Sequence, residues 1–455
     1  MTWDIAVVAA YLLVTLLVGM TTGRGVTTMK QYVIGKRKRY TTFTLVATLL
    51  VTDMGGGSTL GASEKVFSLG LVWMLAALGE SMNKLATAYW VAPRMQPFQH
   101  KLSVGEIMGE LYDKPGQVIT GVSGALMCLG LVGAQMVGMG HVLQSAFGLS
   151  HAYATALTCG IVVAYASFGG IRAVTATDVI QFVAFIIVVP ILAGLALWNC
   201  GGYNALHSLV PHQHFAVVSR PDMFRHGFVF LVLAIPVLDP SVMQRLLMAE
   251  NGQQARTCLN VTAVVQAALT CLITLIALAT LATSPQLDPS LTLLHAVNTL
   301  LHTGLRGLGI VALLAVMMST ADSCLHAAAV SLSHDTIAPL QNNLLSDAAQ
   351  LKLTRWLTFA LGIAATGAAM HFTSIVDLFL ASYDFWAPVV VPPLLLGIGG
   401  YKASARCFCA AATAGVAAVW TWNIYFADTT GIDATVPGLL VNGLTFVLYR
   451  GLMSR

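Results

Sequence analysis

Roughly thirteen apolar stretches follow one another along this chain, most of them about as long as a helix needs to cross a bilayer, with short polar loops between them. No other feature limits the fold as much. Backbone N–H and C=O groups find no water in hydrocarbon, so each span must satisfy its own, and the chain reads as an all-α polytopic membrane protein. Only 9% of residues are charged, against about 25% in a soluble domain, and no loop is long enough to fold separately.

Basic residues fall mainly on one side of the spans. Arg24, Lys30, Lys36 to Arg39, Arg94, Lys101, Lys114, Arg172, Arg245, Arg256, Lys352, Arg355, Lys402, Arg406, Arg450 and Arg455 share that side, opposed by little beyond Arg220, Arg225 and Arg306. The positive-inside rule then puts the N-terminus outside and the C-terminus in the cytoplasm. The first span carries Asp4 and has no basic leader, so it is expected to be retained and not cleaved. The net charge of +4 follows from the loop bias and gives no reason to expect nucleic acid. Seven of the eight cysteines sit in or beside spans, leaving Cys200 expected to be exposed outside, and no disulfide framework is implied. No nucleophile elbow, phosphate loop or metal-ligand spacing points to an enzyme.

Two spans are interrupted. The run TFTLVATLLVTDMGGGSTLG from Thr42 to Gly61 meets an acid and then Gly55, Gly56 and Gly57, each costing about 1 kcal/mol of helix propensity relative to alanine. A break at mid-membrane persists only where protein, or a cavity holding an ion or solute, satisfies the freed backbone. In AIPVLDPSVMQR, Pro236 and Pro240 flank Asp239 and remove two backbone donors. Each break alone could be a packed kink. Their registry, with five spans in each half, fits inverted repeats at 42–225 and 226–400, with 1–41 and 401–455 as additions.

Polar side chains within spans are costly, at least about 2.5 kcal/mol for an ionisable group at mid-bilayer, and each is a candidate for function. Asp53 precedes the glycine break. Glu80 and Lys84, four apart, either neutralise each other or leave Glu80 facing a solute. Gln135 could bond a solute or a neighbouring helix, and His141 reads as a lone histidine that is structural or proton-carrying. Asp377, Tyr383, Asp384, Phe385 and Trp386 form an aromatic and acidic group suited to a gate or to an interfacial belt. In LLAVMMSTADSCLH, Ser319, Thr320 and Ser323 place three hydroxyls beside Asp322, the oxygen donors a hard cation prefers.

Four separated motifs carry a family resemblance: ATLLVTDMGGGSTLG, LSVGEIMGELYDKPG, YASFGGIRAVTATDVIQ and AVMMSTADS, supported by DPSVMQRLL and VVPPLLLG. Together they resemble the sodium/solute symporter family of sodium-coupled sugar, proline and pantothenate carriers. The resemblance implies a five-plus-five inverted-repeat core with about thirteen helices, a multi-pass position in the plasma (inner) membrane, Na+ as coupling ion, and a monomer or weak homo-oligomer in lipid. It implies sodium ligation by the carbonyls of Val51, Met54 and Val316 and the hydroxyls of Ser319 and Thr320. Asp53, Asp178, Asp322 and Ser323 would line the sodium path, and Ser58, Glu80, Gln135, Asp239 and Asp384 the solute site. The acids Asp53 and Glu80 suit an amine-bearing or zwitterionic solute such as an amino acid better than a sugar. The competing readings are a proton-coupled carrier on the same fold, and a transporter-like sensor working with a separate signalling partner.

Overall fold

The computed structural model describes residues 2–35, 40–220, 222–370, 382–384 and 386–453. Lys36 to Arg39, Asp377, Phe385 and Arg455 lie outside the described residues. All regular structure among the described residues is helical. Among the described residues six helices are long and apolar enough to cross a membrane, or seven if the bent pair Thr42–Asp53 and Gly57–Leu69 counts as one span. Length alone undercounts the spans. The helix His151–Asn199 has 49 residues and turns at Gly170, φ 58°. Straight, it would run ~70 Å, more than twice a hydrocarbon core of ~30 Å, so it takes up two of the apolar runs. Other runs are divided between shorter helices: Leu71–Ala77 with Gly79–Ala86, and Met223–Ala234 with Pro240–Met248.

The centre of the molecule is the helix Leu305–Val330, whose residues from Gly309 to Val330 are all buried. A helix apolar on every face must be enclosed on every face. One wall is the helix Val104–Phe147, interrupted at Tyr112 and Asp113. The two run antiparallel: Gly121 lies against Asp335 and Thr336, Gly124 against Ser331, and the Gln135 amide faces the Met317–Thr320 turn across Gly55 and Gly56.

At the first break, Thr41 caps the helix Thr42–Asp53 by accepting from Thr44 N at 3.1 Å. The helix closes with Met54 N on Leu50 O, and the chain resumes as a π-turn at Gly57–Gly61, bent by 67°. Glycine is required at position 55, where a Cβ would stand 2.7 Å from Thr320 Oγ1 and 2.8 Å from Gln135 Oε1. At the second break, Met223–Ala234 stops before Pro236, and Pro240 opens the next helix as its first residue, where a missing N–H costs nothing. The freed carbonyls are taken up by protein: Asn83 Nδ2 donates to Ile235 O at 2.6 Å and Trp386 Nε1 to Val237 O at 2.8 Å. Gly79 lets the Gly79–Ala86 helix approach this segment, its absent Cβ position lying 2.5 Å from Phe230 O.

The loop before the second break covers the end of the first broken helix. His214 Nε2 meets Phe67 O at 3.2 Å, and Arg220 donates to Leu69 O at 2.8 Å. Arg220 also grips Asp222 through two nitrogens, which holds the Asp222 carboxyl below the usual carboxylate range. Cys200, expected to be exposed, is buried at 5% exposure, with its thiol donating to Leu197 O at 3.1 Å. The reason is local: it closes the C-terminus of His151–Asn199, and its side chain turns back onto the helix.

Candidate functional site

Two polar clusters occupy the interior, one on each side of the glycine break. The first joins Asp53, Ser58, Glu80, Lys84 and Gln266. The Ser58 hydroxyl donates to both oxygens of Glu80, at 2.9 and 3.0 Å, and Gln266 Nε2 bridges Glu80 Oε2 at 2.7 Å and Asp53 Oδ2 at 3.2 Å. Lys84 forms an ion pair with Asp53 across helices and not within its own helix with Glu80. The four-residue spacing therefore does not set the partner. Asp53 is paired with Lys84, whereas Glu80 is held by a hydroxyl and an amide and forms no ion pair among the described residues. Gln135 Oε1 accepts from Gly56 N at 2.6 Å, while its buried Nε2 has no hydrogen-bond partner among the described residues.

The second cluster is built on the central helix. Thr320 Oγ1 lies 2.9 Å from Thr52 O, 3.0 Å from Val316 O and 3.3 Å from Val51 O. Of the five expected sodium ligands, the Val51 and Val316 carbonyls thus lie within hydrogen-bonding distance of the Thr320 hydroxyl, as does the Thr52 carbonyl. Met54 sits in the adjoining break with φ −86° and ψ 54°. Ser319 turns its hydroxyl to Asp178 Oδ1 at 2.5 Å, which leaves its lone pairs available to a cation. Asp178 also accepts from Thr48, and Thr52 and Ser323 hydroxyls meet at 3.0 Å. Asp322 accepts from Tyr165 at 2.5 Å and from Ser323 at 3.2 Å. This is an oxygen-rich donor set suited to a hard cation.

Arg245 completes this cluster. Counted in sequence as an inner-loop charge, it is 1% exposed, stands 3.6 Å from Asp178, and donates to Thr48 at 3.3 Å, to Ser241 O at 3.0 Å and to Ser323. The helix Pro240–Met248 carries it inward because the proline break starts a new helix at that depth. Its signal was present: Arg245 falls one turn after Ser241, within the apolar stretch VMQRLLM. Gln266, also missed, is a glutamine amid the apolar Gly252–Thr283 helix.

Two expected solute residues already have hydrogen-bond partners of their own. Asp239 caps its own helix, accepting from Ser241 N at 2.9 Å, Ser241 Oγ at 2.5 Å and Val242 N at 3.1 Å. Asp384 accepts from Thr435 at 2.9 Å, toward the C-terminal helix Thr435–Met453. His141 is not alone: its ring lies 4.8 Å from that of His151.

The sodium:solute symporter family model matches residues 32–407. The osmoregulated proline transporter OpuE of Bacillus subtilis (strain 168) is 22% identical over 98% of this chain and 94% of its own length. A sodium/proline symporter of Staphylococcus aureus is 24% identical over 44% of this chain and 41% of its own. Among solved structures, a substrate-bound, outward-open Na+-coupled sialic acid symporter superposes with a TM-score of 0.86 at 18% identity, covering 99% of this chain and 98% of the other. A nucleobase-cation-symport-1 family transporter in a closed conformation gives 0.63 at 11% identity, over 93% and 94%. The structural likenesses establish the fold, and the family match extends from the first basic loop to beyond the second break. The chain belongs to the sodium:solute symporter family, as a sodium-coupled multi-pass membrane transporter of a small solute and not an enzyme.

Proposed function

We propose that this symporter imports an amino acid or a similar zwitterion, with Glu80 holding the solute's amine. The observation that carries the reading is the unequal pairing of the two acids: Lys84 forms its ion pair with Asp53, whereas Glu80 is fixed by Ser58 and Gln266 and forms no ion pair among the described residues. A solute ammonium beside Glu80 would supply the missing cation. The names of the relatives, a proline transporter and a sodium/proline symporter, support an amino-acid substrate and make proline the first solute to test. Sodium would lie among Val51 O, Val316 O, Thr320 and Ser319, with Met54 O as a further donor from the break. Asp178, Asp322 and Ser323 would line its path.

The two breaks, each supported from outside its own helix, favour the five-plus-five layout of inverted repeats. Alternating access then moves the halves around a fixed site. Basic loop residues support an outside N-terminus and a cytoplasmic C-terminus. Glu80→Gln is expected to abolish uptake of the amine-bearing solute in reconstituted vesicles with yield and fold unchanged; undiminished uptake would refute the assignment.

A second reading rests on a specific feature. Asp178 and Asp322 are both 0% exposed, and Arg245 pairs with Asp178 alone, so the cluster holds one more acid than base among the described residues. A proton on Asp322, next to Tyr165, would balance it and could couple transport to protons. Uptake that follows a proton gradient in the absence of sodium, and that Asp322→Asn removes, would favour this reading.

A further inference from the structure

Three arginines at one end of the bundle stand over aromatic rings instead of facing carboxylates. Arg94 lies 4.9 Å from the Trp90 ring centroid, Arg256 4.3 Å from that of Tyr89, and Arg450 3.8 Å from that of Tyr401. None of the three forms an ion pair among the described residues, whereas Lys84, Arg220, Arg245 and Arg306 each have an acid. Glu250, in the turn before the Arg256 helix, pairs with none of them either.

The three pairs form one continuous surface. Tyr89 and Trp90 are consecutive in the turn Thr87–Val91, and Gly252, which opens the Arg256 helix, brings its absent Cβ position within 3.2 Å of Ala92 O. The edge of the Trp90 ring lies 3.2 Å from the equivalent point on Gly399, two residues before Tyr401. Each pair stands at the end of an apolar helix. Tyr89 and Trp90 are 56% and 37% exposed, with Lys402 and Arg406 exposed nearby in sequence.

Arg94 spends one N–H on Trp90 O at 2.7 Å; a guanidinium that rests on a ring otherwise keeps its N–H edge for other acceptors, and that fork matches phosphate oxygens. Tyrosine and tryptophan at span ends mark the headgroup level of the bilayer, where clustered basic residues meet anionic lipid. We propose that this surface binds the phosphate headgroup of an anionic phospholipid. The bound lipid would anchor the end of the helical run that carries Glu80 and Lys84, and so restrain the solute cluster. An acidic protein partner fits less well, because the rings stand at the ends of spans.

The test uses the purified full chain in neutral detergent, with phosphatidylglycerol, phosphatidylcholine or inorganic phosphate added. Melting temperature and lipid retained in native mass spectrometry are read. Phosphatidylglycerol is expected to raise the melting temperature and remain bound where phosphatidylcholine does not, and inorganic phosphate to have little effect. The triple variant R94Q/R256Q/R450Q should lose the phosphatidylglycerol shift, while R225Q, an exposed arginine elsewhere, keeps it. Equal retention by wild type and triple variant, or equal shifts with both lipids, would overturn the proposal; so would inorganic phosphate reproducing the whole shift. If the triple variant does not fold, R94Q and R256Q singly should each lower retention, and unchanged retention in both refutes the site.

Discussion

Single side chains decide how the buried charges are balanced. Arg245 faces Asp178 at 3.6 Å with both side chains buried. Removing one partner of a buried pair costs about 3–5 kcal/mol because the other charge is left without compensation. Arg245→Gln is therefore expected to lower the melting temperature and the yield of folded protein sharply; an unchanged melting temperature would show that Asp178 is satisfied without it. At the proposed ion site, a lost hydroxyl donor costs about 1–3 kcal/mol, equivalent to roughly 5- to 150-fold in affinity. Ser319→Ala with Thr320→Ala should raise the sodium concentration for half-maximal uptake by at least that range. An unaltered sodium dependence would remove these residues from the site. At this scale the sequence was readable where a polar residue stood out against apolar neighbours, as with Asp53, Glu80, Gln135 and Thr320. It was not readable where the partner came from another helix: spacing suggested Glu80 with Lys84, and the fold pairs Lys84 with Asp53.

Elements were legible where backbone chemistry forces a feature. Three consecutive glycines and a Pro-X3-Pro run end helices whatever surrounds them, and both breaks occur where the sequence puts them. What the sequence did not show is how the freed carbonyls are satisfied, since Asn83 and Trp386 reach them from distant segments. Asp239 illustrates the same limit. Its position beside a break suggested solute contact, but the shortest use of a carboxylate before Pro-Ser-Val is to cap the helix that follows. Gly55 gives an element-scale test. A methyl group there would meet Thr320 and Gln135, so Gly55→Ala should impair sodium-driven uptake, whereas Gly194→Ala, with nothing within 4 Å, should leave it intact. Equal activity of the two variants would mean that the break closes less tightly than described.

For the whole molecule, the class of fold followed from apolar patterning, because lipid leaves the backbone few solutions. The number of spans was less legible from either direction: apolar runs suggest about thirteen, while continuous helix length gives six or seven, since turns and breaks divide some spans and join others. Gly170 illustrates this, with a non-helical backbone that kinks one 49-residue helical run. The proposed cation site on the central helix and the proposed solute acid Glu80 lie on either side of the glycine break, so that each ligand would strengthen the other's binding. The most direct test is uptake by the purified protein in proteoliposomes under an inward sodium gradient, with proline and other amino acids as solutes and potassium and proton gradients as controls. An amine-bearing solute is expected to accumulate only with sodium, and this accumulation to disappear in Glu80→Gln. Accumulation driven by a proton gradient without sodium, or sodium-driven accumulation that Glu80→Gln leaves unchanged, would contradict it.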